Sequence, residues 1–457
     1  MLYQTIIITL TFVVVWVKSE CNLPLELKDE IASYAVAVET IINAATSGSF
    51  KGVTYNKLAT FVDKFGPRKV GSDNLENAID YMLDLSTSND LENVHGEEVE
   101  VPVWERGTES ATLLEPRNKT LPMLGLIYSV GTPPEGILAE ALVVTSFDDL
   151  TEKASLAQGK IVIFNEEFES YGVTGRYRGF GAVEAAKVGA VATLIRSVSP
   201  FSPVNPHTGI LRYDDNVTQI PAACIASNDA NMLYRMQERG EKIKILLKME
   251  ARMLPNAISR NGVAELQGTT NPEKVVIVSA HLDSVDVGEG AMDDGGGVFI
   301  SWAAVALLRS LGLRPKRTVR AIYWTAEEAG GVGLSAYQEI HVNESENFNF
   351  IMDTDVGTFT PLGIDYEAGA NGGCILEEVM KLLTPINATQ ANLVEIGLWP
   401  GFPTASLNNA NDEYFWYHHS PEDTMDIEDS DTLDKCAAVW TSVAYVLADL
   451  SIDFPKD

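Results

Sequence analysis

Histidines and carboxylates occur in four short groups in the second half of the chain, and these residue types together can bind divalent metal ions. Each group follows a predicted strand or an apolar run: His281 with Asp283 and Asp293, Glu327 with Glu328, Asp353 with Asp355, and His418 with His419. Imidazole nitrogens and carboxylate oxygens are typical zinc ligands. An acidic pair taken alone usually lies in a solvated loop, so the prediction depends on the four groups occurring together.

Alternating strands and helices would bring these groups to one place. Strands are predicted at 275–279, 318–324 and 348–352, and helices at 298–311, 332–340, 374–383 and 432–450. The alternation is typical of an α/β fold, in which a mostly parallel sheet is covered by helices on both faces. Ligands of such folds bind at the carboxyl ends of the strands. The glycines at 295–297 allow the backbone to approach closely beside the first group.

The residue types also indicate a reaction. Five ligands can hold two metal ions if one carboxylate is shared, and a metal pair can activate water and polarise a carbonyl group. A free carboxylate must then act as general base, and the adjacent side chains of Glu327 and Glu328 diverge, so one can bind metal while the other faces the water. Asp283 follows His281 by two residues and can hold the second ring nitrogen of a metal-bound imidazole.

A second α/β unit is predicted at 137–250, and it carries little chemistry of its own. Its strands are expected near 141–145, 159–164, 220–225 and 243–249, with a helix that runs into a further strand at 181–196 and a second helix at 229–239. Residues 199–215 are rich in Ser, Pro and Asn, and a surface loop is expected there. Upstream, helices are predicted at 27–47, 55–62 and 75–86 and a strand at 94–104, with Ser72 and Asp73 as capping types before the third helix.

The composition is that of a globular protein without affinity for nucleic acid. The chain has 457 residues, of which 46% are hydrophobic, and its formal net charge is −31. Phosphate binding requires basic patches, and the sequence has no extended one. The length allows two or three domains, and the acidity by itself indicates only solubility.

The N-terminus and the sequons predict entry into the secretory pathway. Residues 6–17 form an apolar run of the length of a signal-peptide core, with cleavage expected after Ser19. A signal anchor is the alternative, although the run is short for a membrane span, and no transmembrane anchor is expected after removal of the leader. Four N-glycosylation sequons begin at Asn118, Asn216, Asn343 and Asn387.

The four cysteines leave the disulfide question open. Cys21, Cys224, Cys374 and Cys436 are scattered and form no CxxC motif. Three pairings are possible, and buried free thiols are the alternative.

Longer stretches around the four groups resemble the M28 metallopeptidase family. The matching motifs are AHLDSVDVGEGAMDDGGG, WTAEEAGGVG, MDTDVGT and HHSPEDTM, and the likeness extends over nearly the whole mature chain. The resemblance implies a zinc-exopeptidase fold with an inserted protease-associated (PA) α/β domain. The domains are then a signal peptide at 1–19, N-terminal helices and the start of the catalytic domain at 20–136, which can include a short propeptide, the insert at 137–250 and the catalytic domain at 251–457.

The resemblance also implies a site with two zinc ions. His281 and Asp355 are expected to bind one ion, Glu328 and His419 the other, and Asp293 is expected to bridge them. The choice of His419 over His418 follows from the family's ligand preceding Ser or Thr, and that of Asp355 over Asp353 from the family's Asp-x-Gly pattern.

Further roles follow from the same resemblance. Glu327 is expected to be the general base, and Asp283 is expected to orient His281. Asp294 is expected to shape its loop without binding metal, and Asp423 to support His419. Residues 392–400, NLVEIGLWP, are shorter and more apolar than the family's pattern, in a region that walls the substrate pocket of relatives.

The implied protein is a secreted or lysosomal zinc exopeptidase of the carboxypeptidase or dipeptidase type. It hydrolyses dipeptides or short peptides with metal-activated water, and the family suggests a homodimer. An inactive peptide-binding or protein-binding member of the same scaffold is the alternative, but such a protein would be expected to lose ligands. A zinc acyltransferase on a related scaffold is a third interpretation, and it would not require the PA insert.

Overall fold

The computed structural model of this protein describes residues 21–456, so the predicted signal peptide lies outside the described residues. The helices are α1 (Leu25–Ser33), α2 (Ala35–Thr46), α3 (Val53–Phe65), α4 (Asp73–Ser88), α5 (Phe147–Glu152), α6 (Ala154–Ala157), α7 (Tyr171–Lys187), α8 (Ser227–Glu238), α9 (Gly296–Leu311), α10 (Val332–Ile340), α11 (Ala370–Lys381), α12 (Tyr414–Tyr417) and α13 (Ser430–Asp449).

The described strands form two eight-stranded sheets. They are β1 (Glu92–Glu105), β2 (Glu109–Glu115), β3 (Lys119–Leu121), β4 (Met123–Gly125), β5 (Ile137–Val144), β6 (Ile161–Phe164), β7 (Ala192–Arg196), β8 (Ala222–Ile225), β9 (Lys244–Met249), β10 (Arg252–Leu266), β11 (Asn271–His281), β12 (Arg317–Trp324), β13 (Phe348–Asp353), β14 (Pro361–Glu367), β15 (Gln390–Leu393) and β16 (Thr404–Asn409).

The first sheet has the order β1-β10-β12-β11-β13-β16-β14-β15. Strands β12, β11, β13 and β16 run parallel, whereas β1 and β10, β10 and β12, and β14 and β16 pair antiparallel. The predicted α/β class is therefore confirmed, with a sheet that is parallel at its centre and mixed at its margins.

Alternating side chains of β11 build a core on each face of this sheet. Val276 and Val278 belong to the large cluster that contains α9 and α13, while Val275 and Ile277 pack on the opposite face with Tyr337 of α10. Successive side chains of a strand point to opposite faces of the sheet, and both faces are covered here, so every position of this strand is buried and apolar.

Helix α9 is buried along almost its whole length. Every residue from Gly296 to Leu308 is buried. Among the described residues, Ala291–Leu311 is a segment long and apolar enough to cross a bilayer, and all of its apolar window lies inside the protein. Packing of α9 between the sheet and α13 explains why this segment is so apolar.

The second sheet has the order β3-β2-β9-β5-β6-β7-β8-β4 and its own core. It begins at Glu109, earlier than the predicted boundary at residue 137, because the short strands β2–β4 join it before β5. The chain enters this unit from β1 and leaves it into β10, and β1 and β10 pair with each other in the first sheet. The second unit is thus inserted between two paired strands.

One disulfide joins the start of the described chain to α11. Cys21 is bonded to Cys374, and Cys224 and Cys436 are buried free thiols. The sequence left open whether the cysteines form disulfides or are buried free thiols, and the structure contains one disulfide and two buried free thiols.

Candidate metal centre

The four predicted groups lie together at the carboxyl edge of the first sheet. His281 is the last residue of β11, Glu327 and Glu328 follow the end of β12, and Asp355 follows β13. Asp293, Glu327, Glu328, Asp355 and His419 line one cavity of about 580 Å³. The parallel strands position His281, Asp355 and the Glu327–Glu328 pair, as expected for open α/β sheets. Asp293 lies in the turn before α9, and His419 follows α12.

Asp293 stands between two pairs of side chains. Its Oδ1 lies 3.1 Å from Nε2 of His281, and that nitrogen is 3.4 Å from Oδ1 of Asp355. Its Oδ2 lies 3.4 Å from Nε2 of His419, and that nitrogen is 2.9 Å from Oε2 of Glu328. One carboxylate thus faces a His–Asp pair with one oxygen and a His–Glu pair with the other.

Two carboxylate oxygens of this cluster lack a hydrogen-bond partner among the described residues. Oδ2 of Asp293 and Oε1 of Glu328 are both buried and unpaired. A buried carboxylate oxygen without a partner is costly, and divalent cations compensate such a cost. The donor set of imidazole nitrogens and carboxylate oxygens therefore fits metal ions. Two groups that share Asp293 have ligand atoms close enough to hold an ion: His281 with Asp293 and Asp355, and Asp293 with His418 and His419.

Crowding of acids in the buried site shifts their pKa values strongly. Burial, with repulsion from Glu328, raises the pKa of Asp293 to about 6, and burial, with repulsion from Asp283 and Asp355, raises the pKa of Glu328 to about 8. Burial lowers the pKa of His419 to about 4, which leaves its imidazole neutral and able to donate a lone pair. Cations bound among these acids would favour their charged forms.

Comparison with known proteins gives evidence on the family of this chain that is independent of the geometry of the site. The model of peptidase family M28 matches residues 261–444. Carboxypeptidase Q of Xenopus laevis is 52% identical over 436 residues, which cover 94% of this chain and 93% of the relative. Carboxypeptidase Q of Homo sapiens is 51% identical over 437 residues with the same coverage. This chain belongs to peptidase family M28.

Solved structures agree with this assignment. The crystal structure of a peptidase M28 precursor from Shewanella amazonensis has a TM-score of 0.88 and 31% identity, and the match covers 93% of this chain and 99% of that one. BSAP, a zinc aminopeptidase from Bacillus subtilis, has a TM-score of 0.67 at 20% identity, with 89% and 98% coverage, and this likeness concerns the fold alone. The M28 peptidase described here is a peptide hydrolase.

Asp283 contacts His281 differently from the sequence prediction. Nδ1 of His281 lies 2.9 Å from the backbone carbonyl oxygen of Asp283, whereas the nearest carboxylate oxygen is 3.9 Å away. The Asp283 carboxylate instead accepts the backbone N–H groups of Glu327 and Glu328 at 2.9 and 3.1 Å. In the M28 peptidase this residue therefore connects two of the four groups, with its carbonyl on the imidazole and its carboxylate on the Glu–Glu pair.

The hydrogen bonds of the Asp423 carboxylate go to the turn before α9, whereas the sequence analysis expected this residue to support His419. Its carboxylate accepts the backbone N–H groups of Met292 and Asp293 at 2.8 and 3.2 Å. It thus holds the turn that carries the central carboxylate. Asp294 shapes the same loop, as expected, since it accepts from the backbone of His281 and of Gly297.

The residues beside the chosen ligands have other contacts. Asp353 accepts hydrogen bonds from Oγ of Ser279 and Nε1 of Trp324 at 2.6 and 3.0 Å, which turns it away from the cluster. His418 stacks on His419 with ring centroids 3.7 Å apart, and its Nε2 lies 3.5 Å from Oδ2 of Asp293. His418 is thus close to the centre, but His419 also contacts Glu328.

A loop of the second unit holds the His418–His419 segment, which the sequence analysis missed. Nδ1 of His419 lies 3.3 Å from the carbonyl oxygen of Thr208, and the backbone N–H of Thr208 donates to the carbonyl of His419 at 2.9 Å. Nδ1 of His207 lies 2.6 Å from the carbonyl of His418. The expected surface loop therefore contributes to the centre, and the type of His207 is a signal in the sequence that could have indicated this.

The second unit also forms a wall of the cavity. Tyr171, Arg178 and Arg212 of this unit line the cavity together with the residues of the sheet edge, and no pattern in the sequence singled them out. Residues 392–400 do not line this cavity. Trp399 instead packs with Tyr337 and Phe348 on the far face of the sheet.

Proposed function

We propose that the M28 peptidase is a dizinc exopeptidase that hydrolyses dipeptides or short peptides. The position of Asp293 carries this proposal: its two oxygens face two separate pairs of potential ligands, and its buried Oδ2 has no hydrogen-bond partner among the described residues. The similarity to carboxypeptidase Q supports a peptide substrate cleaved from an end. The zinc in the printed title of the Bacillus subtilis aminopeptidase supports the choice of metal.

Each zinc ion would be held by one histidine and one acid, and Asp293 would serve both ions. His281 and Asp355 would hold the first ion, and Glu328 and His419 the second. When bound, a zinc pair polarises a carbonyl group and makes water a better nucleophile at neutral pH. The unpaired buried oxygens and the neutral imidazole of His419 favour this arrangement.

Glu327 would act as the general base of the reaction. It lines the cavity beside Glu328, and its backbone is fixed by the bond from its N–H group to Asp283. Burial, together with repulsion from Asp355 and Glu328, raises its pKa well above the ordinary value, which suits a group that must both accept and donate protons. Its carboxylate would take a proton from the attacking water and deliver it to the leaving amine nitrogen.

A single substitution tests this role. Glu327→Gln is expected to keep the metal content of the wild type and to lower kcat for a dipeptide by about 10²–10⁴-fold, the range typical of a lost general base. The measurement pairs steady-state hydrolysis with elemental analysis of the same samples. The matched control is Glu339→Gln, the same chemical change at an exposed position of α10, which should leave both quantities unchanged.

The same experiment separates catalysis from binding alone. Turnover that a chelator abolishes and zinc restores would support the peptidase, whereas a zinc-loaded wild type without activity on a dipeptide library would favour an inactive binding protein. Near-wild-type kcat in Glu327→Gln would remove Glu327 as the base.

Secretion, glycosylation and the identity of the second unit belong to the same proposal. The Cys21–Cys374 disulfide supports an oxidising compartment, and Asn118, Asn216, Asn343 and Asn387 are all exposed, as glycosylation requires. We assign the protein to the secretory pathway, as a secreted or lysosomal enzyme. The second sheet with its helices would be the protease-associated domain, and the enzyme would act as a homodimer.

A further inference from the structure

The two proposed zinc-binding histidines are oriented by different parts of the molecule. Nδ1 of His281 lies 2.9 Å from the carbonyl oxygen of Asp283, two residues further along the unit that contains the first sheet. Nδ1 of His419 lies 3.3 Å from the carbonyl oxygen of Thr208, which belongs to the second unit. A carbonyl oxygen only accepts hydrogen bonds, so both Nδ1 atoms carry the ring proton and both Nε2 atoms keep a lone pair for a metal ion.

The backbone at His419 is strained. Its φ angle of 59° lies in the left-handed region, which is unfavourable for a residue with a side chain. Helix α12, which precedes it, has only four residues, and so short a helix gives the segment little rigidity of its own. A strained conformation persists where surrounding structure holds it, so the partners of this segment determine where the His419 imidazole points.

The loop that follows β7 in the second unit supplies such partners. Nδ1 of His207 donates to the carbonyl oxygen of His418 at 2.6 Å, and the backbone N–H of Thr208 donates to the carbonyl oxygen of His419 at 2.9 Å. His207 is buried and does not line the cavity. Its connection to the metal centre therefore runs through the backbone of residues 418 and 419.

The loop itself is fixed to the second sheet. The backbone N–H of His207 donates to Oγ of Ser197 at 2.9 Å, and that hydroxyl donates to the carbonyl of Ile225 in β8 at 3.0 Å. Oγ1 of Thr208 donates to the carbonyl of Gly125 in β4 at 2.8 Å. The loop therefore transmits the position of the second sheet to the segment that carries His419.

Other candidate ligands are supported from within the first unit. The carbonyl of Asp283 holds His281, and its carboxylate accepts the backbone N–H of Glu328 at 3.1 Å. Of these three ligands, counting His419, only His419 has its ring nitrogen held by the second unit. The two proposed zinc ions thus differ in how far they depend on that unit.

We propose that His207 is a positioning residue that fixes His419 and so sets the zinc affinity of the site formed by His419 and Glu328. The site formed by His281 and Asp355 depends on His207 much less. This inference rests on the proposed dizinc function, and it adds that the second unit controls the binding of one of the two ions.

The test measures zinc binding to the metal-free protein in competition with a chromophoric chelator, which resolves the two binding steps. His207→Leu removes the donor, and one step should weaken by about 10–100-fold, the range for lost support of a metal ligand. The other step should change by less than about threefold, since its histidine is held by Asp283. Zinc-edge anomalous diffraction from crystals at limiting zinc identifies the weakened ion, and the lower peak should be the one beside Glu328.

His207→Asn distinguishes the hydrogen bond from packing. The asparagine amide can donate to the same carbonyl from about the position of Nδ1, and it should restore the weakened step to within about threefold of the wild type. Packing lost in His207→Leu would not be restored, because asparagine is smaller than both histidine and leucine.

A second variant and a control complete the design. If His207→Leu does not fold without metal, as judged by circular dichroism, Ser199→Ala replaces it. The Ser199 hydroxyl donates to the carbonyl of Phe415 in the same segment at 2.6 Å, and its loss should weaken the same step by about 2–10-fold, the equivalent of one hydrogen bond. The matched control is His341→Leu, the same change at a histidine that contacts Glu97, and both of its binding steps should equal those of the wild type.

The proposal would be overturned by equal weakening of both steps in His207→Leu, or by zinc binding of wild-type strength in that variant. It would also be overturned if His207→Asn bound zinc as weakly as His207→Leu, or if the lower anomalous peak lay beside His281. Failure of the proposed function would appear separately, as a wild-type protein that binds fewer than two zinc ions or that binds two without hydrolysing dipeptides.

Discussion

At the scale of single residues, side chains beside the candidate ligands hold the backbone that carries them. The Arg68 side chain is buried and donates to the carbonyl oxygens of Leu282, Glu289 and Gly290. These carbonyls lie near the two ends of the segment between His281 and Asp293. Arg68 therefore fixes the chain that connects His281 to Asp293 within the first group, a role that no sequence pattern indicated.

Asp423 also holds backbone beside a candidate ligand, because its carboxylate accepts the N–H groups of Met292 and Asp293. Loss of this carboxylate should weaken metal binding. In Asp423→Asn, an amide N–H group would face one of the two backbone N–H groups that the carboxylate now accepts. Substitutions of groups that orient metal ligands typically cost about 10–100-fold in affinity, and we expect this range for zinc. Competition with a chromophoric chelator measures it.

The control for this prediction lies in the same loop. Asp426→Asn makes the same change at an exposed position and should leave zinc affinity unaltered. An Asp423→Asn protein that binds zinc as tightly as the wild type would show that the turn does not depend on this carboxylate.

At the scale of elements, the site depends on how α9 begins. Residues 291–295 form an irregular turn in which Asp293 and Asp294 have non-helical backbone angles, and regular helix follows from Gly296. The turn places Asp293 in the cavity, while the carboxylate of Asp294 accepts a hydrogen bond from the backbone N–H group of His281, the last residue of β11. Small residues at the helix start allow this close approach.

Gly297→Ala should therefore damage both stability and metal binding. A Cβ at this position would lie 2.2 Å from Oδ1 of Asp294, so the carboxylate that supports His281 would have to move. Overpacking of this kind costs about 1–3 kcal/mol, and a lower melting temperature with weaker zinc binding is expected. Thermal unfolding and chelator competition measure the two effects.

Gly175→Ala provides the comparison. Gly175 lies within α7, and nothing would contact an added Cβ there within 4 Å. Since alanine favours helix over glycine by about 1 kcal/mol, this variant should be as stable as the wild type or more so. Equal stability of Gly297→Ala and Gly175→Ala would contradict the close packing described for α9.

The central elements and the outermost strand β1 could be predicted from sequence, whereas β10 and β14 could not. The apolar runs of β11, β12 and β13 and the groups that follow them predicted where His281, Glu328 and Asp355 meet. By contrast, β10 contains Pro, Asn and Gly and is exposed over its first residues, and β14 begins with Pro-Leu-Gly. Such residues disfavour a strand in isolation, and only pairing with neighbouring strands explains them.

At the scale of the whole molecule, the site is shared between the two units. Arg106, in the segment that enters the second unit, forms an ion pair with Asp286 of the first at 2.5 Å and donates to Thr208 at 3.2 Å. Thr208 in turn contacts His419. Contacts of this kind join residues far apart in the chain through an irregular loop, which explains why periodicity and spacing did not predict them.

The disulfide is the second long-range link, and its reduction should destabilise the whole protein. Cys21 and Cys374 are separated by 353 residues, and a bond that closes a long loop typically contributes about 2–4 kcal/mol. We expect the melting temperature of the metal-free protein to fall by several degrees in a phosphine reductant. A Cys21→Ser/Cys374→Ser protein should have the lower melting temperature, and the reductant should not change it. Equal melting temperatures of the oxidised and reduced wild-type protein would contradict a stabilising role of the disulfide.

The proposed dizinc centre can be tested by anomalous diffraction at the zinc edge from crystals of the zinc-loaded protein, which locates the metal directly. A dizinc centre should give two peaks about 3.5–4 Å apart, the usual spacing of a two-metal site, with Asp293 between them. His281 and Asp355 should contact one peak, and Glu328 and His419 the other. A single peak, or a second peak bound by His418 in place of His419, would contradict it.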